Sequence, residues 1–241
     1  MPRIPERTTT AEKLAPGALD PAPLARLFDA PHAVRSVRYG IAPIEAGLDA
    51  LFEEERALVE KAVPTRQREF ASGRRLARRL LGELGLPSGP ILRDGDRVPC
   101  WPAAAIGSIS HSRSLAVVAV ARREAVAGIG VDVEPDEEVA PGIERIVCTA
   151  EESRWLDRCG GSDELRARRV KLVFGAKEAV YKAFYPRIRV FWGFHDVTLE
   201  IDEEAGRIEA RLPASADRPR AEGAFVRAHE ALVSAFVVPN R

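Results

Sequence analysis

The chain has 241 residues, 46% of them apolar and 30% charged, the profile of a globular protein with a sizeable core and not of a collagen, coiled coil or disordered tail. Its 36 basic and 36 acidic side chains cancel to a formal charge of zero, which removes bulk attraction to nucleic acid or a membrane surface. The longest apolar run, Leu115 to Ala121, is far short of the ~18 residues of a membrane span, and the first residues lack the pattern of a secretory signal, so a cytoplasmic protein is expected.

Along the chain, Met1 to Ala30 is rich in Pro, Thr and Ala and reads as a loosely ordered arm. A strand follows, with Val37, Tyr39 and Ile41 on one face and Ser36 and Arg38 on the other. Leu48, Leu51, Phe52, Leu58, Val59 and Ala62 repeat at helical spacing until Pro64. The next helix opens near Thr65, turns Phe70, Ala77, Leu80, Leu81 and Leu84 inward and stops at Gly85, with its arginines on the outer side. After a Pro- and Gly-rich loop from Pro87 to Pro102, the runs Ile106 to His111, Leu115 to Ala121 and Val126 to Glu134 are expected to form an antiparallel meander. Thr149 and Glu152 have capping-box spacing for a short helix containing Trp155. A longer helix from about Glu164 to Tyr185 is closed by Pro186, and four alternating strands follow: Val197 to Ile201, Ile208 to Leu212, Phe225 to Ala228 and Leu232 to Val238.

The order strand, helix, helix, strand, strand recurs from about Val126 before extra strands are added. The expected fold class is therefore α+β: an arm (1–30), a first half (31–125) and a second half (126–241). The halves are expected to be similar, related by a pseudo-twofold axis, with antiparallel sheets and a ligand cleft between them. Three cysteines without a C-x-x-C pair argue against a disulfide framework or a zinc cage.

Charge is clustered although it sums to zero. Arg66 to Arg79 holds six arginines against one glutamate, and Asp132 to Glu138 holds five carboxylates and no base. An anion-attracting patch beside a cation-attracting one suits a phosphorylated, metal-bound ligand. In G-I-G-V-D-V-E-P, Gly128 to Pro135, strand alternation puts Asp132 and Glu134 on one face, where they can share a hard cation such as Mg²⁺, and sends Ile129, Val131 and Val133 to the core. In F-G-A-K-E-A-V-Y-K, Phe174 to Lys182, Glu178 and Lys182 are helical neighbours with Lys177 beside them, among large apolar side chains. Buried charges need partners. A cation shared with Asp132 and Glu134 would satisfy Glu178, and a phosphate the lysines. The segment G-S-I-S-H-S, Gly107 to Ser112, puts Ser108, Ser110 and Ser112 on one face and Ile109 and His111 on the other, a spacing that defines no Ser-His-Asp triad.

These segments, with R-x-R-E-F-x-x-x-R-x-x-A-R from Arg66, P-I-L-R ending at Arg93 and P-C-W-P ending at Pro102, together resemble the 4'-phosphopantetheinyl transferases. Within that superfamily the resemblance is to the enterobactin-synthase component D type and its actinobacterial relatives, and it covers about half the chain, Arg66 to Pro186. It implies transfer of the phosphopantetheine arm of coenzyme A to a serine of an acyl or peptidyl carrier protein, with release of adenosine 3',5'-bisphosphate. By position it implies Asp132, Glu134 and Glu178 as Mg²⁺ carboxylates; Arg66, Arg74 and His111 on the 3'-phosphate; Arg93 near the adenine end; Lys177 and Lys182 on the pyrophosphate; and Ser110 as a further coenzyme A-binding residue. The first half would then carry the phosphate-binding arginine helix, the second the metal strand and catalytic helix. Glu178 is the candidate general base, directly or through a metal-bound water, and Lys182 is the other candidate catalytic residue. Gly175 departs from the pattern, since many relatives carry Ser, Cys or Thr there. The expected partners are coenzyme A and a carrier domain, with no nucleic acid and no membrane, and a monomer. Two rivals are a non-catalytic module binding coenzyme A or a carrier domain, and a Mg²⁺-dependent nuclease, the latter disfavoured by the absence of net positive charge.

Overall fold

The computed structural model describes residues 19–29 and 36–240. Most of the expected arm lies outside these residues. Its described end forms a 3-10 turn, Ala22–Phe28, with Leu24, Leu27 and Phe28 buried and Phe28 stacked on Tyr39, so this part belongs to the core.

Strand β1 (Val37–Pro43) is followed by a break where one helix was expected. A 3-10 turn, Leu48–Ala50, and a short helix α1 (Glu53–Ala57) replace it, with Phe52 extended between them. The break turns Glu55 into the interior, where it is fully buried. Its carboxylate accepts from the Phe52 N–H at 3.1 Å, the Ile91 N–H at 2.8 Å and Arg78 at 2.8 and 2.9 Å. Removing one member of a buried ion pair strands the other, at a cost of about 3–5 kcal/mol. Glu55→Ala is therefore expected to lower unfolding stability by about that amount in urea, and a loss under about 1 kcal/mol would contradict the role given to Glu55.

Helix α2 (Pro64–Glu83) begins with proline, whose missing N–H costs nothing at that position, and buries Phe70, Leu76, Leu80 and Leu81. Gly85, at φ 67°, supplies the left-handed residue that stops it. Arg68, Arg75 and Arg79 are exposed as expected, but Arg74 is buried. The following loop contains a small hairpin, β2 (Leu92–Arg93) with β3 (Pro99–Cys100), which local patterning did not reveal.

Strands β4 (Ala105–His111) and β5 (Leu115–Arg122) pair as expected, giving an antiparallel sheet of order β1-β5-β4. Strand β6 (Val126–Pro135) does not complete a meander. It opens a second antiparallel sheet of order β6-β10-β9-β8-β7, with β7 (Thr198–Asp202), β8 (Arg207–Arg211), β9 (Arg220–Ala228) and β10 (Ala231–Pro239). The reason lies on β4. The Ser108 hydroxyl accepts the Val131 N–H at 3.1 Å and the Ser110 hydroxyl accepts the Val133 N–H at 3.4 Å. Side chains thus satisfy that edge of β6 in place of a backbone ladder, while β10 pairs with its other edge.

Between β6 and β7 come α3 (Ile143–Val147), α4 (Ala150–Cys159) and α5 (Asp163–Ile188). The Thr149–Glu152 capping box is formed. Pro186 lies inside the last turn of α5 instead of closing it, and Arg189, at φ 53°, caps the helix. Arg189 also holds the β2–β3 turn, through Asp94 at 2.7 Å and Asp96 at 3.0 Å. Helix α5 rests directly on β6. A Cβ added at Gly130 would stand 1.9 Å from the Ala179 carbonyl oxygen, and one at Gly128 2.4 Å from that of Ala183. Among the described residues no helix is long and apolar enough to cross a membrane.

Candidate active site

Strand alternation continues the Gly128 and Gly130 face of β6 into Asp132 and Glu134, and antiparallel travel along α5 brings each to the helix in turn. Gly130 meets Ala179, and Asp132 and Glu134 meet Gly175, where a Cβ would lie 3.1 Å from Asp132 Oδ2 and 3.6 Å from Glu134 Cγ. Glycines on both elements therefore bring the carboxylates against the helix.

Asp132 is 4% exposed. Its Oδ1 accepts from Lys182 Nζ at 2.6 Å and from the Ser110 hydroxyl at 2.8 Å, while Oδ2 is buried without a protein partner. Burial pushes the Glu134 carboxyl up to about 7; the Asp132 and Glu178 charges add to this, and Lys171 and Lys182 oppose it. Glu178 is also pushed up, by burial first, with Lys182 opposing and Asp132 adding. The three carboxylates thus act on one another, and they come from two separate elements. As they stand they do not close into a ligand set, since among the described residues no three His, Cys, Asp or Glu groups are arranged to share an ion. The buried Asp132 Oδ2 and the raised Glu134 are nevertheless what a hard cation would relieve.

Lys182 Nζ lies against Asp132 and the Ser110 hydroxyl. Ser110 and Lys177 are both engaged by protein partners. The Ser110 hydroxyl donates to Asp132 and accepts from the Val133 N–H and from Lys182. One proton and two lone pairs are then in use, and Ser110 orients Asp132. Lys177 is buried, with Nζ donating to the Val147 carbonyl at 2.8 Å, Glu152 at 2.7 Å and the Phe194 carbonyl at 2.7 Å. An ammonium has three donors, and none remains for a pyrophosphate. The residue that sequence reading missed is Lys171, whose Nζ lies 4.0 Å from Glu134. Its signal was helical phase, because positions 171, 175, 178 and 182 fall on one face whereas 177 is turned about 100° from 178.

Next to this cluster lies a basic one. Arg66 contacts His111 Nε2 and pairs with Glu69 at 3.3 Å, while His111 Nδ1 lies 3.4 Å from Glu69. A neutral ring with its proton on Nδ1 satisfies both neighbours. Burial lowers the His111 pKa to about 4, with Arg66 and Lys182 adding and Glu69 and Asp132 opposing. In the unfolded chain the ring titrates near 6.5. The His111 contribution to stability is therefore present above pH 6.5 and lost as pH falls through 4. His111 is expected to stay neutral at pH 5.5 by NMR; half-protonation near 6.5 would contradict this environment.

Arg74 lies over the Phe70 ring, 4.3 Å from its centroid, and donates to the Ile91 carbonyl at 2.7 Å. Burial brings its pKa down to about 10; Glu55 opposes this, and Arg78, Arg66 and Arg93 add to it. Arg93 donates to the Leu58 carbonyl at 3.1 Å. A part-buried gathering of like charges is the electrostatic form of an anion site. Beside Glu178, an apolar pocket of about 140 Å³ is walled by Tyr181, Phe191, Trp192 and Phe194. Phe191 is 74% exposed, whereas Trp192 is buried.

Comparison with known proteins bears on this arrangement. Residues 54–121 match a model of the 4'-phosphopantetheinyl transferase N-terminal domain, and residues 128–229 match the 4'-phosphopantetheinyl transferase superfamily. The 4'-phosphopantetheinyl transferase PptT of Mycobacterium tuberculosis is 33% identical over 163 residues, covering 66% of this chain and 70% of PptT. The chain belongs to the 4'-phosphopantetheinyl transferase superfamily. Other members similar to it are Svp of Streptomyces mobaraensis, 40% identical over 67% of this chain, and enterobactin synthase component D of Escherichia coli K12, 34% identical over 56%. The match spans 65% of the length of Svp and 63% of the Escherichia coli protein. The two superfamily matches cover α1 to β5 and β6 to β9, which contain the basic and the acidic clusters respectively.

Proposed function

We propose that this member of the superfamily transfers phosphopantetheine from coenzyme A to a serine hydroxyl of an acyl or peptidyl carrier protein. The observation that carries the reading is the meeting of Asp132, Glu134, Glu178 and Lys182 between β6 and α5, beside the Arg66–His111 pair. In this reading the chain works as two α+β halves, 31–125 and 126–241, related by a pseudo-twofold axis with coenzyme A in the cleft between them. Both sheets insert their last strand beside their first, β5 next to β1 and β10 next to β6, which supports such a relation.

Arg66, Arg74 and His111 hold the 3'-phosphate and Arg93 the adenine end; guanidinium groups suit a phosphate because they bind it in bidentate fashion. The apolar pocket receives the pantetheine arm. Asp132, Glu134 and Glu178 would hold Mg²⁺, which would supply charge neutralisation at the pyrophosphate. Lys182, which donates to Asp132, would neutralise charge on the pyrophosphate. Glu178 accepts the proton of the carrier serine as its oxygen attacks the phosphorus that bears pantetheine. The bond to the adenosine side breaks, and adenosine 3',5'-bisphosphate leaves. The protein is read as a cytoplasmic monomer, and the similarity to enterobactin synthase component D favours carriers of siderophore or other secondary metabolism. Intact mass spectrometry of several apo carriers, incubated with coenzyme A and Mg²⁺, tests the reading. One phosphopantetheine should be gained on at least one of them, and unchanged masses across the panel would count decisively against it.

A further inference from the structure

The Lys177–Glu152 pair lies outside the carboxylate cluster and ties together more of the chain than any one ligand contact could. Glu152 is fully buried. Its Oε2 accepts from Lys177 and from the Thr149 N–H at 2.7 Å, and its Oε1 accepts the Leu199 N–H at 2.7 Å. With the Lys177 bonds to the Val147 and Phe194 carbonyls, this pair joins α5 to the end of α3, the start of α4, the 3-10 turn Phe194–Asp196 and β7. A buried pair with every polar atom used is geometrically stiff, because any shift strands a charge or a carbonyl in the interior. Lys177 directly precedes Glu178 and lines the same pocket, which Phe194 and Trp192 also line.

We propose that Lys177 is a positioning residue which, through Glu152, fixes the Phe194 wall of the pocket relative to Glu178, and that it is not a pyrophosphate ligand. The proposal rests on the transferase reading above. In that reading the pair sets where the pantetheine arm lies against the carboxylate that takes the serine proton.

The test compares Lys177→Met, Glu152→Gln and their double variant with the wild type. It uses transfer kinetics, calorimetry with adenosine 3',5'-bisphosphate and with inorganic pyrophosphate, and Trp192 fluorescence in a background where Trp101 and Trp155 are replaced by Phe. Glu152 has no exposed surface from which to reach a ligand, so a shared phenotype marks positioning. Both single variants should cut kcat at least about tenfold and shift Trp192 emission, with affinity for either phosphate probe within about twofold of wild type. The double variant should be no worse than the poorer single one, as expected of residues acting as a unit. If Lys177→Met does not fold, Glu152→Gln carries the same comparison. The idea is overturned if Glu152→Gln keeps wild-type kcat and Trp192 emission while Lys177→Met loses pyrophosphate affinity about tenfold. A wild type inert towards every carrier would remove the transferase reading, yet Trp192 emission and the calorimetry would still decide the role of the pair.

Discussion

Asp132→Ala is expected to lower phosphopantetheine transfer at least about 10³-fold, and Glu178→Ala to a similar degree. Single electrostatic groups in a reaction site are typically worth 10² to 10³, and general bases 10² to 10⁴. In the proposed reading Asp132 has two tasks: its buried, unpartnered oxygen serves the cation site, and it holds Lys182. In the same reading Glu178 serves the cation and the serine proton. Arg74→Ala should behave differently, weakening coenzyme A binding about tenfold with a smaller effect on kcat, since its guanidinium belongs to the basic cluster. It should also cost some stability, because Arg74 packs on Phe70 and bonds the Ile91 carbonyl. Rates and affinities measured on the three variants separate these roles. Equal losses of kcat and of coenzyme A affinity in all three would contradict the division into a reacting and a binding cluster.

Gly130→Val carries the second large effect. Any β-carbon there would meet the Ala179 carbonyl oxygen at 1.9 Å, and that atom is helix backbone which cannot rotate away. Overpacking in a core costs typically 1–3 kcal/mol, and a clash with backbone lies at or above the top of that range. At about 3 kcal/mol, a chain of this size should lose roughly 6–12 °C in Tm. The activity loss should exceed what unfolding explains, because moving α5 off β6 separates Glu178 and Lys182 from Asp132. Gly82→Ala serves as the control, since a β-carbon there meets nothing within 4 Å. A Gly130→Val protein with unchanged Tm and transfer would show that the close approach of helix and strand does not build the site.

Much of this was readable from residues in order. Helix α2 and its glycine stop, the capping box before α4 and the strands of the tail follow local patterns, because each depends on neighbours a few positions away. The pairing of Asp132 with Glu134 was also readable, since strand alternation fixes it. The partner of β6 was not. Sequence proximity favours pairing with β5, and only the hydroxyls of Ser108 and Ser110, donating nothing visible to a hydrophobicity pattern, allow β6 to lie beside β4 and pair with distant β10. The helix expected across 48–62 fails for a related reason: Glu55 is taken inside to meet Arg78 and Ile91, which lie 23 and 36 residues away. Lys177 is a different case. Its direction is legible in the helical phase that separates it from Glu178 and Lys182, whereas its expected pyrophosphate role came with the family resemblance.

The claim on which the rest depends is that carboxylates from a strand and a helix hold one divalent ion together. Titration with Mn²⁺ in the presence of coenzyme A, followed by the paramagnetic signal of the free ion, counts that ion directly. One tightly bound Mn²⁺ per chain is expected for the wild type, with affinity falling at least about tenfold in both Asp132→Asn and Glu178→Gln. Unchanged stoichiometry and affinity in both variants would contradict it.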